Sequence, residues 1–209
     1  MMTRDCWQDY IDTVSQACGN MLHDAVLEYG MDGADFLQKF IQSGIAEHIE
    51  EGSPKYVAGK SGLELFLDVM DAVGLPQIPR DIVTFERSDV YWVGWILARY
   101  QRYSERKFSR ILQILPYEEL LGLYGTLHEA DVQKSYAVFD EHFTQAESPL
   151  KTIRKRRGMT QEGLARESGV SLNTIRAYER KGKDIAKAQV DIVRRLSRTL
   201  GCTIGDLVD

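Results

Sequence analysis

At 209 residues the chain is long enough for one large domain or two small ones, and its 44% hydrophobic and 27% charged content is that of a core-forming soluble protein. No apolar run approaches the roughly 20 residues that span a bilayer, and the opening MMTRDCWQDY lacks the positive-then-apolar layout of a secretory signal. The net charge of -5 conceals an asymmetry: residues 148–209 hold 14 Lys and Arg against 7 Asp and Glu, whereas the first 147 hold 12 against 24.

In chain order, Trp7, Tyr10, Ile11, Val14, Cys18, Met21, Leu22, Ala25 and Val26 recur at three- and four-residue spacing and predict a helix over 5–29. GMDG at 30–33 breaks it. A second helix carries Phe36, Leu37, Phe40 and Ile41 on one face and stops at Gly44. A short helix over 45–51 precedes 52–62, a loop by its Gly, Pro and Ser content. Ser61 and Glu64 have capping-box spacing and open a helix through Val73, ended by Gly74 and Pro76. Residues 76–87 read as an extended connection, weakly strand-like over 82–86.

The next helix, 89–103, is apolar or aromatic nearly all round: Val90, Tyr91, Trp92, Val93, Trp95, Ile96, Leu97, Ala98 and Tyr100. Such a helix belongs in the middle of a bundle. Helices follow at 108–114 and 117–124. Thr126 and Glu129 form a further capping-box pair, predicting a long helix to Gln145 with the stripe Val132, Tyr136, Phe139 and Phe143. A boundary is expected at 145–149, where Ser148 can cap and Pro149 suits the first helical position. Five short helices then fit 149–157, 161–168, 172–180, 187–200 and 204–208.

Within this basic segment, TQEGLARESGVSLNTIRAYER at 160–180 is the most informative stretch. Thr160 and Ser171 are candidate N-caps of two amphipathic segments. Leu164, Ala165, Val170, Ile175 and Tyr178 are spaced to share one core, and Gly169 falls where the turn calls for positive φ. This is the pattern of a helix-turn-helix, whose second helix enters the DNA major groove. An excess of positive charge in the same segment suits a polyanionic partner.

Residues 150–208, through LKTIRKRRGMTQEGLARESGVSLNTIRAYERKGKD and VRRLSRTLGCTIGDLVD, resemble the phage-repressor (Cro/CI, Xre) type of helix-turn-helix domain. The resemblance covers about 60 of the 209 residues and implies a small all-helical domain that binds double-stranded DNA. Position by position, it implies that Gln161 reaches a phosphate and that Ser171 caps the recognition helix, whose N-terminus carries partial positive charge. Leu172, Asn173, Arg176 and Ala177 are expected on its exposed face. Asn can pair with adenine and Arg with guanine, while Leu and Ala can touch a thymine methyl, so Asn173 and Arg176 are the expected base readers. Thr174, Arg180, Lys181 and Lys183 are expected at phosphates. One position departs from the family pattern. Where the family places glycine, Glu179-Arg180 is followed by Lys181, with Gly182 next, which predicts a recognition helix one residue longer.

The first 147 residues carry no comparable motif. His23, His48, His128 and His142 lack metal-ligand spacing, and there is no GxGxxG, phosphate loop or GxSxG, so neither a cofactor nor catalysis is expected. Trp92, Trp95, Arg99, Tyr103 and Arg106 line up helically; a base-stacking platform is one reading and a core helix the preferred one. Cys6, Cys18 and Cys202 are too far apart and odd in number for a disulfide framework or a CxxC site. They are expected as small buried hydrophobes in a reducing cytoplasm. YWVGWILARYQRYSERKF and SGIAEHIEEGSPKYVAGKSG are similar to uncharacterised all-helical bacterial regions that accompany such DNA-binding modules.

The expectation is thus an all-α protein with an acidic N-terminal helical bundle, 1–147, for protein interaction or ligand sensing, and a five-helix helix-turn-helix domain, 148–209. It is expected to be a sequence-specific transcriptional regulator, a repressor that dimerises on a near-palindromic operator. The alternative is an antitoxin-like autoregulator whose N-terminal domain silences a protein partner.

Overall fold

The computed structural model describes residues 10–76 and 88–208. Cys6, Trp7, most of the extended connection expected at 76–87 and the strand-like 82–86 lie outside these. The regular secondary structure of the described residues is all helical, with no strand among them, and the chain divides into two compact units, 1–143 and 144–209. Each has its own apolar core.

In the first unit, α1 (Ile11–His23) continues into a π-helical segment, Asp24–Glu28. Then come α2 (Gly33–Gln42), α3 (Ile45–Glu50), α4 (Pro54–Val57), α5 (Gly62–Ala72), α6 (Asp89–Ser104), α7 (Phe108–Ile114), α8 (Tyr117–Leu127) and α9 (Val132–Gln145). The two helices that pack most closely on α1 are α6 and α5. Glycines permit both approaches. A Cβ on Gly94 of α6 would lie 2.4 Å from the Cys18 carbonyl oxygen of α1, and one on Gly62 of α5 would lie 2.8 Å from the Met21 backbone nitrogen. The nearly all-apolar α6 is buried accordingly, with Val93, Ile96 and Tyr100 at 0% exposure. Trp92 is buried, and half-buried Trp95 lies under the Arg99 guanidinium, 4.4 Å from its ring centroid. This is the core-helix reading. Cys18 is buried too, which pushes its thiol up to about 12.

The Ser61–Glu64 capping box forms in full: Ser61 Oγ accepts from the Glu64 N–H and Glu64 Oε2 from the Ser61 N–H, 2.8 Å. Three expectations are corrected. The 52–62 stretch contains the one-turn helix α4, because Pro54 supplies a pre-set φ at its first turn and Val57 is buried. Helix α8 runs on to Leu127, which is 3% exposed, so Thr126 opens no helix; its hydroxyl donates to the Leu123 carbonyl. At the start of α9, Asp131 Oδ1 accepts from the Gln133 N–H instead. Finally, α1 does not stay α-helical to residue 29. The π-helical segment holds Asp24, buried at 6% exposure and pushed up to about 6 by that burial, against the smaller lowering effect of His23.

The second unit comprises α10 (Pro149–Arg156), α11 (Gln161–Ser168), α12 (Leu172–Glu179), a 3-10 turn at Ile185–Lys187, α13 (Val190–Leu200) and a 3-10 turn at Gly205–Leu207. The last turn takes the place of the expected fifth helix. The fourth begins at Val190 rather than 187, because Lys187 belongs to the separate 3-10 turn. Leu150, Leu164, Val170, Ile175, Tyr178, Val193, Leu196, Leu200 and Leu207 are buried together, and half-buried Ala165 packs against them.

Candidate nucleic-acid interface

The expected caps set the start of α10, α11 and α12. Ser148, Thr160 and Ser171 accept from the N–H groups of Lys151, Gly163 and Thr174. Gly169 ends α11 in the left-handed region at φ 66°, a conformation that costs glycine little. The chain therefore turns sharply between α11 and α12. Ile175 and Tyr178 anchor α12 to the core at 0% and 7% exposure.

On α12, Asn173 is exposed, while Leu172, Thr174, Arg176 and Ala177 are half-buried. The Thr174 hydroxyl lies 2.8 Å from the Ser171 hydroxyl, within the cap. Arg180, Lys181 and Lys183 are exposed beyond the helix end, and Arg180 Nε donates to the Arg176 carbonyl.

The predicted extra residue of α12 is absent. The helix ends at Glu179, and Lys181 itself takes the left-handed conformation at φ 55°. The Gly182 N–H reaches the Ala177 carbonyl at 3.0 Å and the Lys181 N–H reaches that of Tyr178 at 3.1 Å. These are the two bonds of a Schellman motif. Lys181 thus occupies the position that usually favours glycine, and the helix stops where it would with glycine there.

A polar cluster that the sequence reading missed braces this surface. Arg154 of α10 and Glu179 of α12, 8% and 6% exposed, form a two-pronged ion pair: Nε to Oε1 at 2.6 Å and Nη2 to Oε2 at 3.0 Å. Arg154 Nη1 also donates to the Met159 carbonyl, and Gln161 Nε2 donates to Glu179 Oε2, both at 2.7 Å. Burial pushes the Glu179 carboxyl up, but the bonds from Arg154 and Gln161 outweigh it and hold it below its ordinary value. The available signal was spacing. Arg154 and Glu179 each follow a buried apolar residue, Leu150 and Ile175, by four positions and so fall on buried stripes.

Gln161, expected at a phosphate, joins this cluster to Arg176: its Oε1 accepts from Arg176 Nε at 3.3 Å. Arg176 Nη2 in turn reaches Glu162 Oε1 at 3.1 Å. The base-reading candidate is therefore held from α11 by an amide and a carboxylate.

A helix-turn-helix family model matches residues 150–207. This segment is a Cro/C1-type (Xre) helix-turn-helix domain. No curated protein and no solved structure matches the chain. Domains of this type bind DNA, and their family is typically one of non-enzymatic regulators of transcription. Among the described residues, no helix is long and apolar enough to cross a membrane.

Proposed function

We propose that the chain is a sequence-specific transcriptional regulator that represses by occluding a near-palindromic operator as a homodimer. Its residues 148–209 are the DNA-binding domain and residues 1–147 the acidic domain for association or ligand sensing. The observation that carries this reading is the Cro/C1-type domain with its capped, core-anchored α12, on which Asn173 is exposed. With α12 in the major groove, Asn173 and Arg176 read base edges, and Leu172 and Ala177 approach thymine methyls. Gln161, Thr174, Arg180, Lys181 and Lys183 face phosphates, with the Ser171-capped helix end contributing its partial positive charge.

One α12 reads about half a site, so a second copy supplies the other half, one helical turn away. Selection of bound sequences from random duplex DNA by the full chain tests this. Two inverted half-sites separated by about 10 base pairs are expected. Recovery of unrelated sequences, or of one isolated half-site, would overturn it. Recovery of one stoichiometric protein partner on residues 1–147 would instead favour the antitoxin role.

A further inference from the structure

The geometry points to Glu162 as an intramolecular competitor of DNA for Arg176, a positioning residue that holds the base-reading guanidinium in a pair that DNA must exchange. This rests on the DNA-binding reading above and adds to it a device within α11. Arg176 is held at two atoms: Nη2 by Glu162 Oε1 at 3.1 Å and Nε by Gln161 Oε1 at 3.3 Å. Gln161 is itself fixed, because its Nε2 is bonded to Glu179, which is buried and paired with Arg154. The amide oxygen therefore marks a fixed point for the Arg176 guanidinium, and Glu162 balances its charge.

The two holders differ in what DNA can do to them. The Glu162 side chain is 61% exposed and Arg176 43%, so the pair lies at the rim of the surface and is open to exchange. An arginine that reads guanine presents two N–H groups to O6 and N7. In the unbound domain Glu162 takes one Nη2 N–H of Arg176 and balances its charge, so guanine competes with the carboxylate for that group. Guanine then replaces Glu162 as the acceptor. Glu162 is left near the negatively charged duplex, which makes the exchange unfavourable in proportion to the strength of the pair. Where no guanine faces Arg176, the guanidinium stays with Glu162 and gains nothing from the wrong base.

Binding of the full chain to its selected duplex, measured in a double-mutant cycle, tests the competition. Glu162→Gln should tighten binding about two- to fivefold, the range expected from an exposed ion pair. Glu162→Asp keeps the negative charge but shortens the side chain by one methylene; it should tighten binding as well. In an Arg176→Ala background the gain from Glu162→Asp should vanish and that from Glu162→Gln should shrink to the part due to repulsion by the duplex. Helical circular dichroism and melting of each variant confirm that the domain is intact. Equal tightening by Glu162→Gln with and without Arg176 would mean that the carboxylate acts only by general repulsion of DNA, and the inference would be wrong. No tightening in either background would equally overturn it. If the wild-type chain selects no duplex at all, the DNA-binding reading itself has failed, a result distinct from either.

Discussion

At the scale of single residues, two positions in the DNA-binding unit carry measurable consequences. Lys181 sits at φ 55°, a conformation that disfavours any residue with a Cβ. Lys181→Gly should therefore raise the stability of this unit by about 1 kcal/mol, read as a higher melting temperature. The same change removes a positive charge expected at a phosphate, so DNA binding should weaken while stability rises. Glu179 is the second position. Its carboxyl is held below the ordinary value of 4.5. A depressed folded pKa means that the pair's contribution is present above 4.5 and is lost as pH falls through the folded value. Glu179→Gln leaves Arg154 buried without its counter-charge, which should cost about 3–5 kcal/mol at neutral pH. Thermal melts should show that deficit shrinking as pH falls below 4.5; a deficit independent of pH would remove the charge argument. Asp24 in the other unit has the opposite sign. Its pKa is raised to about 6, so its contribution is present below 3.8 and declines as pH rises toward 6.

At the scale of elements, the first unit depends on how closely α6 can approach α1. A Cβ at Gly94 would meet the Cys18 carbonyl oxygen at 2.4 Å and its carbon at 2.9 Å. Backbone atoms inside a packed helix pair cannot step aside as the end of a flexible side chain can. Gly94→Ala should then cost about 1–3 kcal/mol by forcing the two helices apart, despite alanine's better helix propensity. Loss of midpoint in urea, followed by helical circular dichroism, measures it; an unchanged midpoint would mean that the contact is not close in solution. A second element-level device crosses further along the chain. Helix α7 has no side-chain cap of its own at Lys107, and the Phe108 N–H is satisfied by Glu50 Oε1 of α3 at 2.7 Å. Burial raises the Glu50 carboxyl, outweighing the lowering by that bond.

At the scale of the whole molecule, the uneven charge and the proposed pair of half-sites make two predictions. If about five phosphates are neutralised per subunit, log K should fall with log salt at a slope of roughly -4 to -5 per subunit. A flat response in a titration of salt would rule out the phosphate assignments. Association through residues 1–147 would make the second half-site contact intramolecular. The full chain should then bind a palindromic duplex at least about tenfold more tightly than residues 148–209 do, with light scattering reporting a dimer. A monomeric chain that binds no better than its tail would return the acidic domain to a ligand-sensing role.

The local signals of this protein were legible in its sequence because they act over three or four residues. The Ser61–Glu64 box, the caps Thr160 and Ser171, the positive φ at Gly169, and the core positions Ile175 and Tyr178 all follow from side-chain chemistry and helical period. The match of residues 150–207 to the helix-turn-helix family agrees with that pattern. Where a local signal competed with burial, burial prevailed: Leu127 kept Thr126 inside α8, and Val57 made a turn of helix out of a Gly- and Pro-rich stretch. What only the tertiary structure decided are the partners of polar groups far apart in the chain. Glu50 caps a helix 58 residues away, Arg154 finds Glu179 across 25 positions, and Glu162 holds Arg176 across 14. A charged side chain has no period that names its partner; the packing of the apolar faces brings the two together, and where the pair is buried, as Arg154 and Glu179 are, burial makes the bond between them matter.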